Sequence, residues 1–571
     1  MSGQVFELAR ALKSVLESAD ADSNLSLGDA GDYAGNPPAS RLISVAGPVM
    51  PFGWLSGVCR PRGDFGEATG ESQMRSVPSF FAAVSLFCGV AHVAGAAEPI
   101  DIGSRLELFV DDFLIESMAG TAHLELHHPI PREIVIVHDA PWEGSWCGFH
   151  TVFQDGDVYK MYYRGAQASF KGAEFGRAHE WVACLATSQD GIQWTKPELG
   201  HLEFDGSKKN NIVWVGQPPA HDFTPFKDTN PTCPPAALYK SVTTAGMHKG
   251  ALAFASPDGI RWTPMNDGKP IITKGAFDTQ NLAFWDEVRK EYRAYVRDFR
   301  SGIRDVRTCT SQDFITWSEP TWLNWPGAPS EHIYTNQIKP YYRAPHLFIG
   351  FPMRYIERGW SPAMKALSEP EHRQLRAKAN RRYGTALSEG LLATSRDGLT
   401  FHRWHEAFLR PGLRLKHNWK YGDNNIAWHV VETKSHLADS PPELSLYATE
   451  GYWTGTSSHM RRYTLRMDGF VSVAASMKGG ECVTKPVKFA GKSLVLNLST
   501  SAAGGIQVEL QDGKGKPVPG FALADCPAIF GDSLEHVVEW KGGSDVGALA
   551  GKPIRLRITL KDADVYALRF R

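Results

Sequence analysis

Ser188-x-Asp190-Gly191-x-x-Trp194 is the first of four copies of one motif in the chain. The other copies are Ser256-x-Asp258-Gly259-x-x-Trp262, Ser311-x-Asp313-x-x-x-Trp317 and Ser395-x-Asp397-Gly398-x-x-Phe401. An apolar run precedes each Ser, and Asp-Gly is a common turn in β-hairpins. We therefore predict that each copy is the outer hairpin of a small sheet, in which the Asp binds local backbone and the aromatic residue packs back onto the hairpin.

Two more β-type runs precede each hairpin, so each repeat has the four strands of a propeller blade. Four such sets contain the motif, and a fifth set, which ends at Asp468-Gly469, follows them. The inner strands of the five sets are predicted to begin near Cys147, Asp222, Asp278, Glu331 and Asn425. Strand-only content at this period predicts an all-β chain in which residues 98–470 form a five-bladed β-propeller. The run from Leu106 to Asp112 lies outside the five sets, and we expect it to close the ring.

The pattern changes after Asp468. Short alternating runs separated by Gly and Pro turns predict a C-terminal β-sandwich over residues 471–571. One stretch within blade four also departs from the strand pattern, because residues 361–387 carry Met, Ala, Glu and a run of Arg and Ala. We predict a helical insertion there, between the second and third strands of the blade.

Residues 74–97 have the three parts of a secretory signal peptide. Met74-Arg75 is a short basic start, an apolar run extends from Phe80 to Phe87, and Ala94-Gly95-Ala96-Ala97 is a small-residue cleavage site. The predicted localisation is periplasmic or extracellular, without stable membrane insertion; the alternative is an anchor formed by residues 78–97. Residues 1–73 are rich in Gly, Ser, Pro and Asp without periodicity, which predicts a disordered or spuriously translated leader.

Charge and cysteine content exclude several classes of function. The chain has 61 Lys and Arg against 62 Asp and Glu, which leaves no basic field for a nucleic acid. The cysteines that follow the predicted signal peptide lack the close paired spacing of a zinc site, so we expect no metal and no cofactor. Seventeen Trp and seventeen Tyr offer faces for sugar rings, although aromatic residues also fill β-cores.

Acidic residues stand where the inner strands begin, and in a propeller these positions converge on the mouth of the central tunnel. Cleavage of a glycosidic bond generally needs two carboxyl groups, one to protonate the leaving oxygen and one to act as nucleophile or to activate water. We predict Glu331 as the general acid, Asp278 or Asp228 as the nucleophile or base, and Asp423 as the group that stabilises charge at the sugar. The alternative for each carboxylate is a structural role in a turn or cap.

Polar and aromatic residues near these carboxylates are candidates for substrate binding. The predicted binding residues are Asp222, His150, His332, Asn336, Gln280, Arg164, Arg297, Arg354 and Trp146. The three Arg residues each end a second strand. They either brace neighbouring blades by pairing with carboxylates or bind an acidic group of the substrate.

With these repeats followed by a sandwich, the chain resembles the five-bladed propeller glycoside hydrolases, in particular the invertase-like family 32 and the arabinanase and xylosidase family 43. The resemblance implies a carbohydrate substrate and three acidic residues contributed by different blades. The chain lacks the Trp-Met-Asn-Asp-Pro-Asn-Gly opening and the Glu-Cys-Pro segment of the invertases, and Lys227-Asp228-Thr229-Asn230-Pro231 only partly matches their Arg-Asp-Pro. We therefore expect a secreted glycosidase, with a non-catalytic glycan-binding propeller or a glycoside phosphorylase as alternatives.

Overall fold

The computed structural model describes residues 98–216, 218 and 220–571. The predicted leader, residues 1–73, and the predicted signal peptide, residues 74–97, lie outside the described residues. The described chain is all-β, as predicted, because strands make up most of its regular structure. None of the helices in this part of the chain is long and apolar enough to cross a bilayer.

Five small antiparallel sheets follow one another along the chain, and we number them sheet 1 to sheet 5. From the inner strand outward, sheet 1 contains Gly148–Asp155, Val158–Gly165, Val182–Ser188 and Trp194–Thr195, and Ile212–Val215 also pairs with its third strand. Sheet 2 contains Thr224–Lys227, Tyr239–Thr244, Ala251–Ser256 and Thr263–Pro264. Sheet 3 contains Leu282–Asp286, Glu291–Arg300, Ile303–Ser311 and Thr321–Trp322.

The last two small sheets have the same four-stranded order. Sheet 4 contains Lys339–Tyr341, Ala344–Gly350, Ala393–Ser395 and Phe401–Arg403. Sheet 5 contains Val431–Thr433, Glu443–Glu450, His459–Leu465 and Ile130–Val137. The outer strand of sheet 5 thus comes from a segment that precedes sheet 1. The prediction that Leu106 to Asp112 closes the ring is wrong, because Glu107–Leu108 pairs with the last strand of the chain instead.

The recurring motif forms the predicted hairpin turn. Asp190 Oδ1 accepts hydrogen bonds from the backbone N–H groups two and three residues ahead, both at 2.8 Å. The indole of Trp194 donates to the Gly191 carbonyl at 3.1 Å. The equivalent carboxylates cap their turns in the same way in the other copies: Asp258, Asp313 and Asp397. These four aspartates therefore stabilise local backbone, as the turn chemistry predicts.

Tyrosine side chains connect one sheet to the motif turn of another. The Tyr162 hydroxyl of sheet 1 donates to the Gly259 carbonyl of sheet 2 at 3.0 Å. Tyr295 of sheet 3 donates to the motif glycine of sheet 4 at 2.8 Å. Tyr447 of sheet 5 donates to the Gly191 carbonyl of sheet 1. Sheet 5 therefore contacts sheet 1 through the same kind of hydrogen bond that joins consecutive sheets.

A larger sheet of ten strands contains both ends of the described chain. Its longest strands, Leu494–Asp512 and Ile554–Phe570, pair with each other over most of their length. Its other strands are Ile100–Gly103, Glu107–Leu108, Ile115–Gly120, His123–Leu126, Val471–Ala475, Gly480–Thr484, Val487–Phe489 and Asp532–Val537. Residues 100–126, which we predicted to belong to the propeller, therefore pair with the C-terminal strands.

The ten-stranded sheet packs against sheets 4 and 5 through apolar side chains. Leu108 and Val110 belong to the same buried cluster as Phe351 of the sheet 4 region and Leu446 of sheet 5. Burial of this apolar surface stabilises the contact. The interface also contains an ion pair, because Arg396 contacts both Glu107 and Asp111.

Insertions extend from sheets 1 and 4. A hairpin of Ala168–Lys171 and Glu174–Arg177 follows the second strand of sheet 1. A three-stranded sheet of His332–Ile333, Met353–Glu357 and Ala386–Gly390 flanks sheet 4. The predicted helical insertion is confirmed, and its helices are Pro362–Lys365, Pro370–Ala379 and Arg381–Thr385. Four short 3₁₀ turns are Pro235–Ala237, Asn266–Gly268, Leu523–Asp525 and Gly547–Leu549.

Candidate functional site

Residues that precede the inner strands meet at one end of the five sheets, which we call the start face. Gln280 shows this convergence, because its Nε2 donates to the carbonyl oxygens of Phe149 and His150 at 3.2 and 3.3 Å. Gln337 Nε2 in turn donates to Gln280 Oε1 at 2.8 Å. These buried amides fill the centre between the sheets. We call the opposite end of the five sheets, at which the inner strands finish, the end face.

Asp278 is a carboxylate that the start face leaves accessible. Its side chain is 39% exposed, and its Oδ1 lies 3.3 Å from His221 Nε2. Both residues line a depression of about 240 Å³ together with Trp181. The rings of Trp181 and His221 are 4.6 Å apart. A carboxylate and an imidazole at an aromatic wall are groups that can move a proton or attack a sugar carbon.

Asp222 lies next to this pair and is fully buried. Its Oδ1 accepts from Thr243 Oγ1 at 2.7 Å and from the Thr244 N–H at 2.9 Å. Its Oδ2 accepts from Asn281 Nδ2 at 3.2 Å. Both oxygens are therefore engaged by protein donors, and the carboxylate joins sheet 2 to sheet 3 beneath His221. This contact set supports a positioning role rather than the predicted direct binding of substrate.

Asp423 is a buried carboxyl group with one free oxygen. Its Oδ1 accepts from the Tyr452 N–H at 2.9 Å, whereas its Oδ2 has no hydrogen-bond partner among the described residues. Burial raises the pKa of Asp423 to about 7, although that hydrogen bond and the charges of Lys420 and Arg376 lower it. Near neutral pH this carboxyl group is therefore protonated in a large fraction of molecules and can donate a proton.

Two guanidinium groups lie beneath the start face. Arg164 donates to the carbonyl oxygens of Trp146 and His221 at 3.1 and 3.2 Å, and to the Tyr452 hydroxyl at 3.0 Å. Arg297 Nε donates to a backbone carbonyl, whereas its Nη2 has no partner among the described residues. Burial lowers the pKa of Arg297, and the charge of Asp278 raises it. The start face thus contains fixed positive charge near Asp278.

Aromatic side chains from the insertions cover the centre of the start face. The Trp453 ring lies 4.4 Å from Phe175 of the hairpin and 4.9 Å from Tyr383 of the helical insertion. Arg376 of the same insertion donates to the Tyr452 carbonyl at 3.4 Å. The pocket below, lined by Tyr421 among others, measures about 10 Å³. A ligand of the size of a six-membered ring therefore fits the centre only when this aromatic cover moves.

Glu331 lies outside this centre. Because Glu331 and His332 lead into the extra three-stranded sheet, the inner strand of sheet 4 begins at Lys339 and not at Glu331 as predicted. Both Glu331 oxygens accept from Arg354 Nη1, at 3.2 and 3.4 Å, and Arg403 Nη2 donates to Oε2 at 3.0 Å. Two guanidinium groups thus hold Glu331 in ion pairs outside the centre, which is the contact set of a structural carboxylate rather than of the predicted general acid.

Asp228 also lies away from the start face, because it follows the end of the inner strand Thr224–Lys227 while Asp222 precedes its beginning. Its Oδ2 contacts the Lys240 ammonium and accepts from the Tyr292 hydroxyl at 2.6 Å. Asp228 is therefore a buried ion-pair partner between sheets 2 and 3. This position is a correction to its predicted role as nucleophile or base.

The remaining predicted residues are mostly structural in their contacts. His150 Nε2 lies 3.1 Å from His138 Nε2, and burial lowers the pKa of His150 well below its usual value. Asn336 is buried and accepts from a backbone N–H two residues ahead, while His332 Nδ1 accepts from the Arg304 N–H at 3.1 Å. Arg354 donates to Glu389 and Glu331. Trp146 packs edge-on against Trp453, 5.6 Å away, and so belongs to the aromatic cover.

Sequence reasoning missed His221 and Tyr421. His221 precedes Asp222 directly, and Tyr421 stands two residues before Asp423. An inspection of the residues immediately before each predicted inner strand would have found both. Trp453 lies in a loop after the second strand of sheet 5, where no local pattern distinguishes it from a core aromatic. No cluster of His, Cys, Asp and Glu in residues 98–216, 218 and 220–571 has the arrangement of a metal site.

Comparisons with known proteins give similarity in structure only. No protein family model matches the chain, and no curated protein matches it. The chain is similar to solved glycoside hydrolases, as the predicted resemblance implies. A thermostable family-43 glycoside hydrolase has a TM-score of 0.37 at 10% identity over 60% of this chain and 95% of its own. A fructofuranosidase from Schwanniomyces occidentalis has a TM-score of 0.34 at 11% identity over 76% and 96%. The exo-inulinase from Aspergillus awamori has a TM-score of 0.34 at 9% identity over 77% and 98%.

Proposed function

We propose that the chain is a glycoside hydrolase, built as a five-bladed β-propeller with a C-terminal β-sandwich. Sheets 1 to 5 are the blades in this proposal, and the ten-stranded sheet bends to form the sandwich. The hydrogen bond from Tyr447 of sheet 5 to Gly191 of sheet 1 supports a closed ring. The observation that carries the function is Asp278, an accessible carboxylate beside His221 at the end of the ring where glycan-cleaving propellers hold their acids.

Asp278 and Asp423 are the two carboxyl groups of the proposed mechanism. Asp278, whose side chain is accessible to solvent, acts as the nucleophile or activates water at the anomeric carbon. Asp423 donates the proton to the leaving oxygen, because burial keeps its carboxyl group protonated near neutral pH. Movement of the aromatic cover gives the sugar access to Asp423, and closure excludes water other than the reactant.

Phosphorolysis is a second candidate, because of one specific observation. Arg297 is a buried guanidinium whose Nη2 lacks a partner among the described residues, and Asp278 lies near enough to influence its pKa. A phosphate oxygen is a strong acceptor for such a donor. In that case phosphate takes the place of water and the product is a sugar phosphate.

A substrate screen with matched variants tests this proposal. Purified protein is incubated with a panel of oligosaccharides in the presence and absence of phosphate, and the products are separated by chromatography. We expect cleavage without phosphate and a loss of about 10²- to 10⁴-fold in Asp278→Asn. Asp298→Asn, which removes a carboxylate that pairs with Arg307, is the control and should retain activity. Phosphate-dependent cleavage would favour the phosphorylase, and equal activity in Asp278→Asn would overturn the role of Asp278.

Export through residues 74–97 is part of the proposal. The basic start, apolar run and Ala-rich cleavage site support it. Mass spectrometry of the native protein should find an N-terminus near Ala97 or Glu98. Peptides from residues 1–73 on the exported protein would contradict it.

A further inference from the structure

The end face contains a second and larger cavity. It measures about 570 Å³ and is lined by the last part of the inner strand of sheet 1 and by the whole inner strands of sheets 4 and 5. Phe153, Tyr159, Tyr341, Tyr342 and Phe351 provide aromatic walls. Gln337 lines the cavity and donates to Gln280, whereas neither Asp278 nor Asp423 is a lining residue. The proposed glycosidase chemistry therefore makes no use of this cavity.

Lys339 is a basic group inside the cavity. Its Nζ lies 2.9 Å from His429 Nδ1 and 5.6 Å from the centre of the Trp428 ring. Other lysines with little exposure each pair with a carboxylate, namely Lys160, Lys196, Lys240 and Lys420. Lys339 forms no ion pair with the described residues. An ammonium held away from water without a counter-ion is costly, and a carboxylate in the cavity would relieve that cost.

Gln337 contributes a second group that lacks a partner. Its Nε2 donates to Gln280 Oε1 and to the Ile426 carbonyl, both at 2.8 Å, and these two acceptors fix the orientation of the amide. Its Oε1 is buried without a hydrogen-bond partner among the described residues. Such acceptors are normally satisfied in folded proteins. A hydroxyl group on a bound molecule would supply the missing donor.

We propose that the end-face cavity binds a sugar acid, that is, a monosaccharide that carries a carboxylate. The carboxylate pairs with Lys339, a hydroxyl group donates to Gln337 Oε1, and the C–H face of the ring packs on the aromatic walls. Such a combination of aromatic surface with a few fixed polar groups is typical of small-molecule sites.

The ionisation of Lys339 agrees with this assignment. Burial lowers the pKa of Lys339 to about 7, while the charge of Glu287 raises it. Burial also lowers the pKa of His429 well below its usual value. The other ionisable groups around the cavity are Glu432, Lys434, Tyr159, Tyr341 and Tyr342. A bound carboxylate favours the ammonium form of Lys339, so binding takes up a proton at pH 8 and weakens as the pH rises above 7.

Isothermal titration calorimetry with D-glucuronate tests the proposal, and D-glucose, which lacks the carboxylate, is the uncharged control ligand. We expect glucuronate to bind and glucose to bind much more weakly. Lys339→Met should weaken glucuronate binding about thirtyfold or more, because it removes the paired charge. Lys434→Met removes an exposed lysine of the same cavity and should leave binding unchanged. Asp278→Asn at the start face should also leave it unchanged, which keeps this test separate from the glycosidase proposal.

A labelling experiment on the wild-type chain covers the case in which Lys339→Met does not fold. Reductive methylation with formaldehyde and cyanoborohydride, followed by peptide mass spectrometry, reports the accessibility of each lysine. Glucuronate should protect Lys339 and leave Lys434 reactive. The proposal is overturned if wild-type protein does not bind glucuronate, if Lys339→Met binds it as tightly as wild type, or if Lys339 is labelled equally with and without it.

Discussion

The start face and the end face lie at opposite ends of the same inner strands, but they differ in volume and in charge. At the start face, Arg164 lines a central pocket of about 10 Å³ beneath an aromatic cover, and Asp278 lines a separate depression of about 240 Å³. At the end face, Lys339 is a half-buried basic group that lines a cavity of about 570 Å³. The larger of these two cavities and the carboxyl group with the raised pKa are therefore in different places. Cavity volume points to the end face, whereas the raised pKa of Asp423 points to the start face.

The largest expected effects come from Asp423→Asn, which tests the chemical assignment of the start face. The substitution removes the proposed proton donor, so cleavage of natural glycosides should fall about 10²- to 10⁴-fold. A substrate with an activated leaving group needs no proton and should be affected much less. Equal losses on both substrates would contradict the role of Asp423 as the acid.

The same variant should be more stable than wild type at pH 8. The pKa of Asp423 is about 7 in the folded chain and near 3.8 when unfolded, so the unfolded chain releases its proton first. Wild-type stability therefore falls as the pH rises from about 4 to 7, and Asn avoids this loss. At pH 8 the free energy of unfolding of Asp423→Asn should exceed that of wild type by at most about 4 kcal/mol, and the difference should become smaller toward pH 5. Urea unfolding at each pH measures this difference. A variant that is less stable than wild type at pH 8 would show that the carboxyl group is not destabilising.

Asp228→Asn provides the contrast near the other end of an inner strand. It leaves the Lys240 ammonium buried without its counter-ion, so the free energy of unfolding should fall by about 3 kcal/mol. The specific activity of the folded fraction should remain close to wild type, because Asp228 lies away from the start face. The double variant with Lys240→Met should recover part of the stability. If Asp228→Asn abolished activity without loss of stability, the original assignment of Asp228 as nucleophile or base would be restored.

Local patterns in the sequence were sufficient for the repeated hairpins but not for the partners of distant strands. The hydrogen bonds of Asp190 and Trp194 join residues two or three positions apart, so these bonds follow from the motif alone. Ile130–Val137 and Glu107–Leu108 are both β-type runs, and their partners lie more than 300 residues away. Which of them joins sheet 5 depends on packing that a single run does not encode.

Only part of the candidate site was predicted, because the positions of its residues also depend on the packing of distant segments. Asp278 was placed at the start face because it stands a few residues before Leu282–Asp286, which is an inner strand in the structure as well. Glu331 was misassigned because the run from Glu331 to Ile338 has β-type composition, whereas the backbone at Gln337 takes φ +49° and the inner strand starts only at Lys339. Asp228 was misassigned because an acid at the end of a strand and one at its beginning look alike in sequence. The contacts of Glu331 with Arg354 and Arg403 and of Asp228 with Lys240 distinguish these cases, and such contacts depend on the whole fold.

The smallest expected effect tests whether both faces belong to one closed ring. Tyr447→Phe removes the hydrogen bond from sheet 5 to the Gly191 carbonyl of sheet 1 and should lower the free energy of unfolding by about 1 kcal/mol. Tyr162→Phe and Tyr295→Phe remove equivalent bonds between consecutive sheets and are its matched controls. In a closed ring all three buried carbonyl groups lose the same kind of donor, so the three losses in urea unfolding should agree to within about 0.5 kcal/mol. In an open array the Gly191 carbonyl would be solvated, and Tyr447→Phe alone would have no measurable effect. That result would show that sheets 1 to 5 do not form one closed ring, so the start face and the end face would not be the two ends of a single ring.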